Sequence, residues 1–566
     1  MGYATTRGLD RVAAAMGTLN EAPILFQKAL DIPQGGVLLA VPSLLVIGLL
    51  RHTRQSYQLP PGFYGIESIF LLLAMMALAR IESIEQLRYS APGELGNLLG
   101  LDRAPEVRCL RQKLGLLCKQ EGRAAEWNAA LAEEWMKAMP EGEMVFYADG
   151  HVRVYHGGQT PLPRHYVARQ RLCMRATIDY WINAMDGQPF YYVNQAVDPG
   201  LVATLRNDPA PWLLDHAPVS EAHRKCMAED PLLPLFTLIF DREGYSPALF
   251  SELWEKHRIA VVTYHKFAGE DWPVTEFSER ALRLPGGEAV TLLLAERMTK
   301  LSNQLEVRQV RKLTESGKQV PIVSTNQALS TERLAVVMFA RWTQENFYRY
   351  MREHYGLDGL VEYGTAPIPE AILTVNPAWR ELDAAIRRDA AQLQRCSAEF
   401  GSLSLPAALE PAQVTRYETA KATVQEKIEN LTKKVKDLKA QRKHTPHHIP
   451  VKDLPEGYRF EQLRPERKQF IDTIKMISYR AETSMVGVLR DKLARPDDAR
   501  ALVRQIYQAE VDLLPDPQAK TLTVRLHHLA QNIHDEAVGH LCAELTATET
   551  IFPGTDLRLI YQVGSG

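Results

Sequence analysis

The sequence predicts an α/β protein whose strand-rich centre lies between two mainly helical regions, and three observations carry that prediction. Two short apolar runs rich in strand-forming residues, Val145–Ala148 and Phe236–Phe240, each end at an aspartate with a glycine close behind. These endings are Asp149–Gly150 and Asp241–Arg242–Glu243–Gly244. Between and after them, hairpin and helix signals alternate. The outer segments lack strand patterning and carry helix signals instead.

Residues 1–130 read as helical. Ser83–Gln86 has the form of a capping box. Glu94–Leu101 and Val107–Leu117 form two short predicted helices around a break at Asp102–Pro105. Arg103, Arg108, Arg111 and Lys113 cluster on or beside the second, which is compatible with a helix-turn-helix entering a DNA groove. The apolar runs Gly36–Leu50 and Ile69–Ala79 are shorter than the roughly 18–20 residues that span a bilayer. Both are therefore expected to be buried core helices, with no membrane role.

Residues 131–266 change character. After the strand predicted to end at Asp149 come Val152–Tyr155 and a hairpin over Ala176–Val193, with Asp186–Gly187 as its turn. A helix near Leu201–Arg206 precedes the second acid-ended strand. Ser246–Pro247 then supplies a cap and N1 proline for another helix, and Ile259–Tyr264 returns as a strand. Three strands, a helix, an acid-ended strand, a helix and a strand are the element order of a ribonuclease-H-like core. Residues 267–326 interrupt it with β material at Ala289–Met298, Leu305–Leu313 and Gln319–Ser324, and 327–375 resume the core with a helix. Residues 376–566 are expected to be mostly helical, with a lysine-rich coiled-coil-like seam over 414–441 formed by Val424, Ile428, Leu431, Val435 and Leu438. That seam reads as an intramolecular hairpin, with a phosphate-tracking arm or dimer strut as the alternatives.

Bulk properties narrow the class. A net charge of −2 over 566 residues leaves no global basic signature, so any nucleic-acid surface is local. Six scattered cysteines with no CxxC pair argue against a zinc module and a disulfide framework, and they suit a reducing cytosol. No secretory signal pattern is visible at the N-terminus.

A third acid joins the two aspartates. In Met338–Arg352, helical spacing places Arg341, Glu345 and Arg352 on one face, an acid between two guanidinium groups. Here the chain resembles bacterial insertion-sequence transposases of the DDE type, in the subgroup with a β-strand insertion before the last acid. Their signature is Y-x2-R-x3-E-x6-K. Arg341 and Glu345 match it, Arg352 replaces the lysine, and Met338 stands where the tyrosine belongs. The resemblance covers roughly 140–375, with 92 residues from Asp149 to Asp241 and 104 more to Glu345.

The resemblance implies a DNA transposase that cuts at transposon ends and transfers the freed 3′-OH into target DNA. Its catalytic and metal-binding residues would be Asp149, Asp241 and Glu345. Two Mg2+ (or Mn2+) ions about 4 Å apart suit hard oxygen ligands and the charge of a phosphodiester. Asp149 would bridge the ions while Asp241 and Glu345 each serve one. Arg341, Arg352 and Lys266 are candidate phosphate contacts. Trp272 is expected to be packed, with base stacking as the alternative, and His151 is expected to be structural. Glu243 and Glu482 are the rival third acids. A homodimer holding two transposon ends and a cytoplasmic, nucleoid-associated location follow from the same resemblance. A structure-specific nuclease without strand transfer and an inactive DNA-binding derivative are the alternatives. The segment Asp472–Thr483 also resembles tails of such proteins but has no assigned chemistry.

Overall fold

The computed structural model describes the chain apart from residues 1–5, 140–143, 159, 168–169, 196, 285–288, 360, 363, 405–409, 530–533 and 565–566. Its centre is a mixed ten-stranded sheet. Val145–Val154 pairs in parallel with Phe236–Ile239, which pairs in parallel with Ile259–Tyr264. On its other side Val145–Val154 runs antiparallel to Leu172–Ala184, which in turn pairs with Pro189–Gln195. The expected hairpin is therefore present, with the Asp186 carboxylate accepting from the Gln188 amide at 2.9 Å in its turn.

The first acid-bearing strand differs from expectation. It continues through Asp149 to Val154 as one ten-residue strand, instead of stopping and restarting at Val152. Leu172–Ala184 pairs with it along the whole stretch from Phe146 to Val154, whereas Phe236–Ile239 matches only Val145–Tyr147. A partner on one edge is enough to keep the chain extended. Gly150 does not bend the strand. It makes room for the Tyr180 ring, which a Cβ would approach to 3.0 Å.

The residues of the predicted insertion do not build a separate sheet. Gln319–Ser324 pairs antiparallel with Ile259–Tyr264, and Glu306–Leu313, Ala289–Lys300 and Ser278–Arg283 continue the same sheet outward. Alternate residues of the acid-bearing strands feed two cores. Phe146, Ala148, Leu238, Phe240 and Val261 face the larger one, while Val145, Tyr147, Ile239 and Val262 face a second closed by the helix Thr331–Phe339. Both faces are buried, which is why these strands read as unbroken apolar runs.

The terminal regions form one body around the helix Pro465–Arg490. It packs on Val41–Ile47, Ile66–Leu78, Arg123–Lys137, Ala499–Gln508 and Asp535–Ala547. The apolar run near Ile69 is thus a buried core helix, as its length indicated. Among the described residues no helix is long and apolar enough to cross a membrane. The C-terminal region also contributes strands. Val511–Asp516, Thr521–Leu526 and Arg558–Val563 join Ala29–Ile32 in a four-stranded sheet. The lysine-rich segment lies in the helix Pro411–His444, which packs antiparallel on Pro377–Ser402. Lys434 pairs with Asp389 at 3.0 Å, Arg442 pairs with Asp383, and Val424 and Val435 are buried in the seam.

Candidate active site

Parallel register brings the first two acids side by side. Tyr147 is opposite Ile239, and Asp149 and Asp241 each lie two residues further along their adjacent chains. Beyond Ile239 the second strand stops, because the Asp241 carboxylate accepts from the Glu243 amide at 2.8 Å and caps a short 3-10 turn. The Asp241 carbonyl accepts from Thr263 Oγ1 at 2.9 Å, which fixes it to the next strand. Asp149 accepts from the Gly150 amide at 2.9 Å.

The third acid arrives on the helix Trp342–Tyr355, which starts after a break at Ala340–Arg341. Arg341 lies just ahead of its first turn. Its guanidinium pairs with Glu345 and also reaches Asp149 at 3.5 Å. One cation thus links two acids that are nearly 200 residues apart in sequence. Glu345 keeps a side chain 58% exposed and so has freedom to move, whereas the Arg341 side chain is only 12% exposed.

The charges at this point are poorly compensated. Burial pushes the Asp149 carboxyl up to about 7; Arg341 opposes the shift, and Asp241 and Glu243 add to it. Glu243 is also raised, by burial and then by Asp241 and Asp198. Burial alone would lower the pKa of Arg341, yet the neighbouring acids Asp149 and Glu345, with Tyr264 and Asp241, hold it above its ordinary value. The three carboxylates do not all lie within 4.8 Å of one another. Among the described residues that spacing is met by Asp31, Asp512 and His527, where Asp512 is already paired with Arg525 at 2.6 Å.

Two positioning residues escaped sequence reasoning. Buried Gln344 donates through Nε2 to Asn183 Oδ1 at 2.8 Å and to the Trp181 carbonyl at 3.2 Å. The Tyr348 hydroxyl donates to the Asp149 carbonyl at 3.1 Å. They flank Glu345 at the preceding and i+3 positions, on the side of the helix that faces the sheet. Nothing in the sequence signals them, because the burial of Gln344 and the reach of Tyr348 to the first acid's strand arise only from helix-on-sheet packing.

A family model described as a transposase protein matches residues 2–565. The chain belongs to this transposase family. No curated protein and no solved structure matches it. The transposase is accordingly a DNA-processing enzyme, and DNA is its partner.

The remaining candidates of the transposase fall in several places. Arg352 is half-buried two turns further down the helix from Glu345, and its Nε donates to the Tyr348 carbonyl at 3.3 Å. Arg341 sits at the N-cap in helical geometry and pairs with Glu345 one turn on, and Glu345 and Arg352 are seven residues apart within the same unbroken helix. Lys266 is exposed two residues beyond the Ile259–Tyr264 strand, near the Phe267 ring. Trp272 is packed, 8% exposed, with the Arg297 and Arg311 guanidinium groups at 4.6 and 4.3 Å from its ring centroid. Gln319 holds its backbone on both sides. Arg108 is exposed, Arg111 pairs with Glu85, and Lys113 is half-buried, with its ammonium pKa lowered by burial. Their helix, Val107–Leu117, packs on the 3-10 turn Ile84–Tyr89, whereas the short helix Pro92–Asn97 leans on Ala29–Ile32. The expected pair of helices is therefore split between two supports.

His151 is buried, with Nε2 2.6 Å from Asp358 and its ring stacked on Tyr348. Of the rival acids, Glu243 belongs to the acid cluster. Glu482 is fully buried and engaged by Arg80 at 2.6 Å, Tyr355 at 2.8 Å, Arg500 at 3.2 Å and Tyr350.

Proposed function

We propose that this transposase hydrolyses a phosphodiester at transposon ends and joins the freed 3′-OH to target DNA, using Asp149, Asp241 and Glu345. The carrying observation is the in-register placement of Asp149 and Asp241 with Glu345 tied to them through Arg341. The central strands support a ribonuclease-H-like core. Their order places the third, second and first strands antiparallel and the fourth and fifth parallel to the first.

The residues present fit divalent cations such as Mg2+ or Mn2+. The donors are all hard carboxylate oxygens, and the raised Asp149 and Glu243 mark excess negative charge that Arg341 alone does not balance. Asp149 and Asp241 would hold the ions, and exposed Glu345 would join them on leaving Arg341. When bound, two such ions activate the attacking oxygen and stabilise the leaving one.

The chain's own residues supply the rest. Strand pairing holds the two aspartates rigidly, and Gln344 and Tyr348 orient the start of the glutamate helix against them. A released Arg341 offers a two-pronged donor to a phosphate, and exposed Lys266 adds a point charge further out. Two ends must be held together for transposition, which favours a homodimer.

Cleavage and joining of end-bearing DNA in Mg2+ by wild type, Asp149→Asn, Asp241→Asn and Glu345→Gln tests this reading. Each variant is expected to lose at least about a thousandfold in rate, as removal of charge stabilisation at phosphoryl transfer does. Wild-type activity retained in any of the three would overturn the assignment. Cleavage without joining of a pre-cut end would leave a nuclease.

A further inference from the structure

A cleft of about 510 Å3 lies between the strand Arg164–Val167 and the base of the long helical hairpin. Its walls carry four arginines: Arg164 and Arg175, which face each other across one strand pair, and Arg380 and Arg459 from two other segments. Among the described residues none of the four is paired with a carboxylate. Arg175 spends part of its guanidinium on the Gly158 and Thr160 carbonyls, and Arg164 reaches the Cys173 carbonyl at 3.5 Å. Arg380 and Arg459 are exposed.

On the inner wall His165 is only 7% exposed, and its Nε2 has no hydrogen-bond partner. The other ring nitrogen faces Asp198 at 3.7 Å. Asp198 itself accepts from Tyr180 at 2.5 Å and the Gly200 amide at 2.7 Å, and one carboxylate leaves the four guanidinium groups in excess. Two aromatic rings line the opening: Tyr166, 60% exposed, and Tyr458, 49% exposed.

One lining residue connects the cleft to the acids: the charge of Asp198 helps to raise the pKa of Glu243. The helix Leu201–Asn207 begins just after Asp198 and packs on the turn Arg242–Gly244 that follows Asp241. Cationic walls with exposed rings are the surface that holds a single nucleic-acid strand, phosphates on guanidinium groups and bases on aromatic faces. The volume lies within the range of small-ligand pockets, about 300–1,000 Å3, and so admits one strand and not a duplex.

We infer that this cleft binds a short single-stranded DNA segment continuous with the phosphodiester presented to Asp149 and Asp241. The continuity with that phosphodiester rests on the transposase chemistry proposed above; the strand binding itself does not. DNA opened next to the cut would thus be held by the protein while the ends are processed.

Fluorescence anisotropy with the full chain, a labelled short oligothymidylate and a blunt duplex of equal length tests the inference. The double variant Arg380→Ala/Arg459→Ala is expected to bind the single strand about tenfold more weakly, with duplex binding changed less than about twofold. Tyr458→Ala should weaken the single strand and Tyr458→Phe should not, because the ring and not the hydroxyl does the stacking. Lys433→Ala, on the exposed hairpin, is the control for general loss of charge. Unchanged single-strand affinity in the double variant, or an equal loss for duplex, overturns the inference. Asp149→Asn should still bind the strand. If wild type fails to cut DNA while the double variant loses strand binding, the catalytic reading falls and the cleft stands.

Discussion

The Tyr348 hydroxyl donates to the backbone carbonyl of Asp149 across 3.1 Å, so the helix carrying the third acid is fastened to the strand carrying the first. Gln344, one turn earlier, makes a second attachment to Asn183 and Trp181. Tyr348→Phe removes one hydrogen bond while keeping the ring stacked on His151. A loss of about 1 kcal/mol in stability is expected. Gln344→Ala leaves buried acceptors unpaired and should cost about 1–3 kcal/mol. If both residues position Glu345, DNA cleavage falls in each variant by more than the fraction unfolded explains, as read by thermal melting beside rate measurements.

Arg341 serves as the resident cation of the acid cluster. Arg341→Ala should lower the melting temperature of the metal-free protein, because Asp149, Asp241 and Glu243 then repel one another without compensation. Added Mg2+ should raise that temperature more in the variant than in wild type. An equal rise in both proteins would show that Arg341 and the divalent ion do not compete for the same carboxylates.

Glu345 and Glu482 separate catalysis from stability. Glu345→Gln alters a side chain that is 58% exposed, so melting should stay nearly unchanged while cleavage is lost. Glu482→Gln takes the charge from a buried carboxylate that holds Arg80 and Arg500. A loss of about 3–5 kcal/mol is expected, the cost of leaving buried charge unpaired. Unaltered stability in Glu482→Gln would return that residue to the list of third-acid candidates.

Lys475 gives a pH dependence with a definite sign. Burial, followed by repulsion from Lys468, lowers its pKa from 10.5 to about 7, while its ammonium donates to the Gly356 carbonyl at 3.0 Å. A lowered folded value means that the unfolded chain binds the proton more tightly. The favourable contribution is complete above pH 10.5 and is lost as pH falls to about 7. Melting temperature should therefore rise with pH through that window more steeply in wild type than in Lys475→Met. Parallel curves would mean that Lys475 is not charged on unfolding in this range.

Much of the core was legible because its signals are local. The helix from Pro247, the strand Ile259–Tyr264 and the hairpin at Asp186–Gly187 all lie where cap, apolar run and turn residues placed them. The failures were failures of partnership. Nothing in Val145–Val154 says that one neighbour runs beyond Asp149 and the other does not. Nothing in the pattern of 267–326 says that its strands extend the central sheet. The buried Lys468–Asp472 pair and Glu482 look like an exposed, charged helix in sequence, yet they sit in the middle of the terminal body.

By itself the sequence determined the α/β class, the alternation of strands and helices, and the identity of the three acids as candidates, since residue preference and spacing act over a few neighbours. Tertiary structure alone decided that Asp149 and Asp241 lie abreast, that Arg341 joins Glu345 to them, and that arginines from three separate segments wall a single cleft. Such meetings depend on register and packing between parts of the chain that are remote in order, and no local propensity encodes them.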